Sequence, residues 1–463
     1  MLTKEKAQQI FEQVKKVSTA KDVEVTIAGG QSALTRFANN TIHQNVAEEN
    51  YIVSVRPVID GKTARATTNK LDPDGIKRVV ESAETLTRVQ QPDPDLLPMA
   101  SAAETKHSGP SAPTRFFDST AAVTPQDRAA AVHDMVAVAK TAKLTAAGIY
   151  SSSQSMEALL NSNGVFQYHR QTSSEISITM LGDDSSGWQK QNSPDSANLR
   201  PEHLAETAAR KAEQSASPKE VAAGKYTVIL EPAAVLDLVG FMFFDWGGLA
   251  ILDQRSFLNN RIGTKLFGEN ITVYDDVNHQ LQSGPAFDGE GVPRQRVTLI
   301  DKGVVQNLVY ARGTAAKMKK SEHAAKVGAV RPTGHGFSLP NEMGEMPLNI
   351  VFAPAATAQQ RTVDQMVGST ERGILVTRLW YIREVDPYEK ILTGMTRDGT
   401  FLVEDGRIRH GVRNFRFNQS LIHLLSNVEE MGALVRASGE ESFDMVVPAM
   451  KVREFNFTEV TKF

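Results

Sequence analysis

Short turn signals recur along this chain and cut its β-type patterning into hairpins. Asn39-Asn40, Asp60-Gly61, Asn163-Gly164, Asp301-Lys302-Gly303 and Glu404-Asp405-Gly406 each sit between runs of β-type residues. Such residues accept the positive φ that a tight antiparallel turn demands. Much of the chain must therefore be antiparallel sheet. A first helix is expected over Lys4 to Val17, with Ile10, Phe11 and Val14 at helical spacing. Val23 to Ile27 then alternates, Ala28-Gly29-Gly30-Gln31 reads as a turn, and Ser32 to Phe37 is expected to pair back. Thr41 to Val46 and Tyr51 to Val58 continue the sheet, and Asp72 or Asp74 can cap a helix over Gly75 to Thr87.

At 463 residues, and about 150 per domain, the chain has room for about three units. The expected division is an N-terminal α/β unit over 1–90, an exposed connection over 91–118, a middle α/β unit over 119–224 and a β-rich C-terminal domain over 225–463. The connection is rich in Pro, Ser, Ala and Asp. In the middle unit, helices are expected from Thr124 to about Ala142 and from Pro201 to Gln214. Beyond Pro232, β patterns follow at Ile271–Tyr274, Arg296–Ile300, Val304–Tyr310, Leu348–Ala353, Ile374–Ile382, Phe401–Glu404 and Ile408–Phe415. The fold class is α+β: a curled antiparallel sheet with flanking helices, then the β-rich domain.

Several function classes lose support at once. The chain has no cysteine, so disulfides, thiol catalysis and cysteine metal ligands are excluded. The formal charge, 51 − 54 = −3, gives no overall basic field for nucleic acid. The one compact basic run, Lys317-Met318-Lys319-Lys320, has no aromatics beside it for base stacking. Ala233 to Ile251 is the most apolar stretch, but Asp237 and Asp245 interrupt it, and it reads as a buried core helix rather than a membrane span. The N-terminal residues lack the apolar core of a signal peptide, so a cytoplasmic protein is expected. No Gly-x-Ser-x-Gly elbow is present.

Arg36-Phe37-Ala38-Asn39-Asn40-Thr41-Ile42-His43-Gln44, Thr67-Thr68-Asn69-Lys70-Leu71-Asp72 and Asn161-Ser162-Asn163-Gly164-Val165 together resemble signatures of the TldD/PmbA (TldE) proteins, also labelled modulators of DNA gyrase. Phe287-Asp288-Gly289-Glu290-Gly291 with Thr298-Leu299-Ile300-Asp301-Lys302-Gly303 is similar to the family's Asp-x-Glu-Gly and Leu-Ile-x-x-Gly pair. Thr393 to Gly399 and Val403 to Ile408 look like its C-terminal strands. The resemblance implies a zinc metallopeptidase lineage acting on unfolded peptides. In it, a TldD-like subunit carries His-Glu-x-x-x-His and a late cysteine, and a TldE-like sister of the same fold lacks the metal site. Carried onto this chain through Val239-Gly240, the motif places Leu236 and Phe241 where imidazoles would stand and Asp237 at the glutamate. The nearest histidines are His203 and His279, so a shift of register restores nothing.

The resemblance thus implies a non-catalytic, TldE-like subunit with no metal of its own. Its partner would be a zinc-bearing TldD-like chain in a heterodimer, or a second copy of itself in a homodimer. A self-sufficient hydrolase with a different site, and a homo-oligomeric peptide binder without catalysis, are the alternatives. His323 and His335, twelve apart in a polar stretch, could join a site assembled in space but otherwise read as solvated loop positions. Asp288 and Glu290 could share a proton or simply shape a turn. In Arg378-Leu379-Trp380-Tyr381-Ile382-Arg383, alternation would send Arg378, Trp380 and Ile382 to one face and Leu379, Tyr381 and Arg383 to the other. Trp, Tyr and Arg are enriched at interface hot spots, so Arg378, Trp380 and Tyr381 are candidates for a peptide channel or subunit interface. Thr396 and Arg397, between Gly394 and Gly399, could form an anion-binding nest or a charged hairpin tip.

Overall fold

The computed structural model describes residues 1–107, 112–353 and 359–461. Parts of the connection expected at 91–118 (residues 108–111) and of the C-terminal domain (354–358, 462–463) lie outside the described residues. Helix α1 (Lys4–Val17) is capped by Thr3, whose side chain accepts from the Lys6 N–H. Strand β1 (Asp22–Ala38) turns at Asn39-Asn40, with φ of 51° and 58°, into β2 (Thr41–Ile59). Short β3 (Lys62–Thr63) and β4 (Ala66–Thr68) follow, then α2 (Pro73–Val89), capped by Asp72.

No turn forms at Ala28–Gln31. Strand β1 runs straight through, and its glycines serve close approach instead. A Cβ on Gly29 would lie 2.1 Å from the Asn50 carbonyl oxygen, and one on Gly30 would lie 2.0 Å from that of Gln154. The neighbouring strands pinch the backbone there from both sides.

After the short α3 (Asp118–Ala121), α4 (Pro125–Thr141) starts at a capping box in which the side chains of Thr124 and Asp127 each satisfy the other's backbone N–H. Three strands follow: β5 (Thr145–Asn161), β6 (Phe166–Leu181) and β7 (Ser186–Ser193), then α5 (Pro201–Gln214). Strand β1 pairs with β5 from Glu24↔Asn161 to Phe37↔Gly148, so the first seven strands form one antiparallel sheet ordered β3-β2-β1-β5-β6-β7, with β4 also on β2. Helices α1 and α2 bury Ile10, Val14, Ile76 and Val80 against Val25, Ile27 and Val53. Helices α4 and α5 bury Val132, Met135, Leu204 and Ala208 against Tyr150, Ile176 and Ile178.

The C-terminal region holds two further sheets. Strands β8 (Gly224–Leu230), β13 (Arg372–Asp386), β14 (Ile391–Glu404), β16 (Phe415–Ser420) and β20 (Met450–Val460) pair in a ring that closes where β13 meets β14; β15 (Arg407–Gly411) and β17 (Val428–Met431) attach outside it. The other sheet is ordered β11-β10-β9-β12-β19-β18, from β9 (Thr272–Asp275), β10 (Val297–Asp301), β11 (Val304–Val305), β12 (Ile350–Ala353), β18 (Val435–Ala437) and β19 (Met445–Val447). The strand expected over Val304–Tyr310 stops after two residues. Farther on the backbone pairs elsewhere: the Val309 N–H donates to the Trp246 carbonyl at 3.0 Å, and the Thr333 N–H donates to the Tyr310 carbonyl at 3.0 Å. One large core joins this sheet to the closed ring, and α6 (Pro232–Val239) lies within it.

Candidate functional site

Strand β8 delivers the chain into α6 through Glu231-Pro232, the proline occupying the first helical turn where its missing N–H costs nothing. Leu236 and Asp237 are fully buried, and Phe241 is partly buried against the same core. The helix is not continuous to Ile251, as the apolar run had suggested. It ends at Val239, a 3₁₀ turn spans Gly240–Asp245, and a short helix covers Gly248–Leu252. The break falls where another segment crosses: a Cβ on Gly240 would sit 1.8 Å from Ser442 Oγ.

That crossing segment, residues 438–443, forms a strap over α6, and Asp237 holds it. Asp237 Oδ1 accepts the backbone N–H groups of Glu440 at 3.1 Å and Glu441 at 3.0 Å. A Cβ on Gly439 would lie 2.1 Å from the same oxygen and 2.6 Å from Leu236 Cδ2, so only glycine fits there. Lys190 of β7 donates to the Gly439 carbonyl at 3.0 Å, and Glu441 Oε1 accepts the Tyr381 N–H at 2.8 Å. Asp237 Oδ2 is buried without a hydrogen-bond partner. Burial, reinforced by the nearby Glu441 and Glu440 carboxylates, pushes the Asp237 carboxyl up to about 7 against the opposing pull of the two N–H groups.

A zinc ion needs three or four nitrogen, sulfur or oxygen donors at about 2.0–2.3 Å. The residues at the motif position do not fit that need: Leu236 and Phe241 offer no donor, and one oxygen of Asp237 is already engaged by backbone N–H groups. Among the described residues no three His, Cys, Asp or Glu side chains converge as a metal group. His323 and His335 are not brought together. His335 is buried, contrary to its reading as a solvated loop residue. Its Nε2 lies 3.0 Å from Asp275 Oδ1, and its Nδ1 lies 3.0 Å from Thr333 Oγ1. Burial alone would raise the Asp275 carboxyl; His335 and backbone N–H groups outweigh it and hold the group below its usual range. His323 lies elsewhere, lining a small cavity with Lys326 and Asn259.

The strand carrying Arg378, Trp380 and Tyr381 does not alternate as expected. Tyr381 takes a φ of 58°, and the pairing with β14 slips between Trp380 and Arg383. This bulge puts Leu379 and Ile382 into the same core and leaves Tyr381 exposed. Arg378 is buried, its Nε 2.9 Å from Asp398 Oδ2 and its guanidinium 4.8 Å from the Trp188 ring centre. Arg397 stacks 4.5 Å from the Trp380 ring centre on the exposed side. Thr396 is buried: its hydroxyl donates to Asn414 Oδ1 at 3.1 Å and accepts the Phe415 N–H at 2.9 Å. Residues 394–399 lie inside β14 and form neither a nest nor a hairpin tip. Asp398, at φ 51°, bulges towards Arg378 and accepts from Ser186 Oγ at 2.7 Å.

Asp288 shapes a turn. Its Oδ1 accepts the N–H groups of Glu290 and Val292, each at 2.9 Å, and its Oδ2 accepts that of Gly336 at 2.9 Å. Burial and the neighbouring Glu290 push its carboxyl up to about 7. Sequence reasoning missed the strap on Asp237 and the His335–Asp275 pair. Each joins residues 60 or more positions apart, and no local pattern announces such a partner.

Residues 23–87, 118–216 and 223–459 match the models of PmbA/TldA metallopeptidase domain 1, central domain and C-terminal domain. An uncharacterised protein of Methanocaldococcus jannaschii is 26% identical over 271 residues, 56% of this chain and 60% of that protein. A protein named metalloprotease from Methanothermobacter thermautotrophicus is 23% identical over 61% of each chain. The chain thus spans about three-fifths of the length of these two relatives. Metalloprotease PmbA of Escherichia coli O157:H7 is 21% identical over 84% of this chain and 82% of its own. TldE from Thermococcus kodakarensis has the same fold, with a TM-score of 0.83 at 18% identity over 98% of this chain and 100% of that one. By sequence and by fold, the chain belongs to the PmbA/TldD metallopeptidase family.

Proposed function

We propose that this chain is a TldE-like, non-catalytic subunit of a TldD/TldE-type metallopeptidase that acts on unfolded peptides. The carrying observation is Asp237: the carboxylate at the motif's base position clasps a backbone strap between an aliphatic and an aromatic residue. A general base must reach a water or substrate within about 2.6–3.2 Å. Asp237 instead faces buried protein, so hydrolysis requires a sister chain that brings both the metal and the base. The likeness to TldE supports the fold this reading needs.

The test is hydrolysis of an unfolded peptide by this chain alone, by a sister chain retaining His-Glu-x-x-x-His, and by the two co-expressed. Cleavage is expected from the pair and not from this chain alone. Cleavage by this chain alone, lost on Asp237→Asn, would overturn the reading in favour of a self-sufficient hydrolase.

A further inference from the structure

Arg115 is a buried charge that its surroundings do not neutralise. It lies near the end of the connection that leads to α3, is 4% exposed, and forms no ion pair with a carboxylate among the described residues. Its terminal nitrogens donate to neutral groups, the Val277, His279 and Gln280 carbonyls at 2.8, 2.9 and 3.1 Å. Its Nε is buried without a partner. Burial pushes the guanidinium down to about 10, and the nearby Arg436 adds more to that push than Asp276 relieves. Taking a charge out of water is costly, so buried cations are normally paired. The three carbonyls tie the connection to the C-terminal domain but bring no counter-charge.

Arg115 borders a cavity of about 260 Å³ where three parts of the fold meet. Residues 112–115 supply one wall, residues 167–170 of β6 a second, and Ala286, Phe287 and Pro293 a third. Among the described residues no carboxylate lines it. Arg170 of the β6 wall is exposed and stacks 4.3 Å from the Phe116 ring centre, again with no ion pair among the described residues. The carboxylates nearby have cations of their own. Asp276 lies 3.8 Å from Arg296, and Glu157, opposite His169 in the sheet, is stabilised as an anion by Arg294. Two guanidinium groups thus border one small cavity without a carboxylate to offset either.

Size and charge together limit what could offset them. Sites for drug-sized ligands run to about 300–1,000 Å³, and this cavity lies below that range, so it suits one compact group. Guanidinium groups bind oxyanions through charge-assisted hydrogen bonds. A carboxylate would offset one of the two charges; a phosphate, near −2, would offset both.

We infer that this cavity is an anion site for a phosphate group, held between Arg115 and Arg170 at the junction of the connection, the first sheet and the C-terminal domain. Inorganic phosphate and the phosphate end of a small metabolite share that chemistry. The site involves neither α6 nor a partner chain, so it stands apart from the two-subunit reading. His169, on the β6 wall, is a built-in reporter. Burial and, after it, Arg115 hold its ring below the usual range, against a hydrogen bond with Gln171. An anion beside Arg115 offsets that push, so the filled site should raise the pH at which the ring titrates.

The test is calorimetric titration of the full-length chain with inorganic phosphate, paired with NMR titration of its histidine rings. One saturable site is expected, and the His169 signal, identified by its loss in His169→Gln, should titrate higher with phosphate present. Arg170→Gln should weaken binding about tenfold, as loss of a charge-assisted contact does. Arg170→Lys keeps the charge and should retain most of the affinity; Arg170 is exposed, so both substitutions spare the core. Arg407→Gln, an equally exposed loss of charge on β15, should change nothing. Glycerol 3-phosphate separates the two sources: binding tighter than that of inorganic phosphate points to a phosphorylated metabolite, weaker binding to the free ion. No saturable binding of either probe, or a His169 titration unmoved by phosphate, would overturn the inference. So would equal losses in Arg170→Gln and Arg407→Gln, the mark of an adventitious ion only.

Discussion

At the scale of single residues, Asp237 decides the account. Sequence reading reaches its position through the Val239-Gly240 register but not its task, because the strap it holds lies some two hundred residues later. Its titration offers a direct check. The folded carboxyl titrates at about 7, the unfolded one near 3.9. Between those values the folded chain binds more protons, so stability falls as pH rises from about 4 through 7 and the loss is complete above that. The shift corresponds to roughly 4 kcal/mol at most. Asp237→Asn keeps the shape and removes the ionisation. The Asn chain should therefore be more stable than the parent at pH 8, by up to about 4 kcal/mol, and nearly equal to it near pH 4, as read from melting curves at both pH values. A variant less stable at pH 8 would mean that the ionised carboxylate supports the fold. His335 teaches a related lesson: its polar, Gly-containing neighbourhood reads as solvated, yet its ring is buried on Asp275. Local composition cannot reveal a buried partner contributed by a distant strand.

At the scale of elements, local chemistry was legible where it governs and hidden where packing does. Helix α1 and the Pro201–Gln214 helix follow from periodicity and end signals alone. The positive-φ pairs at Asp60-Gly61, Lys302-Gly303 and Asp405-Gly406 turn where their residue types say they should. Gly29-Gly30 misled because glycine serves two purposes, turning and close approach, and only the neighbouring strands tell them apart. The bulge at Tyr381 misled for a similar reason: strict alternation assumes one residue opposite one, and the slipped register breaks that count. The strap is the element with the sharpest consequence. Gly439→Ala would drive a methyl into Asp237 Oδ1 and Leu236, costing about 1–3 kcal/mol as overpacking does. Amide exchange should rise across residues 438–443 while the strands of the closed ring stay protected. Unchanged exchange there would show that the strap is held by something other than its seat on α6.

At the scale of the whole molecule, the α+β class and the β-rich C-terminal region were readable from the sequence. The pairing of β1 with β5 and the closure of β13 on β14 were not, since both join segments separated by other elements and by no fixed spacing. That closure buries α6 inside the core and leaves the motif position facing protein rather than solvent. The molecule accordingly has the family's frame, with α6 packed inside its core. Among the described residues no helix is long and apolar enough to cross a membrane, so the apolar stretch that includes α6 is accounted for by burial. The central claim, that this chain carries no catalytic metal and works through a sister chain, is most directly tested by metal analysis of the purified full-length chain after equilibration with zinc, alone and then in complex with a chain retaining His-Glu-x-x-x-His. The account predicts no tightly bound zinc on this chain alone and one zinc per complex; one zinc held by this chain in isolation would contradict it.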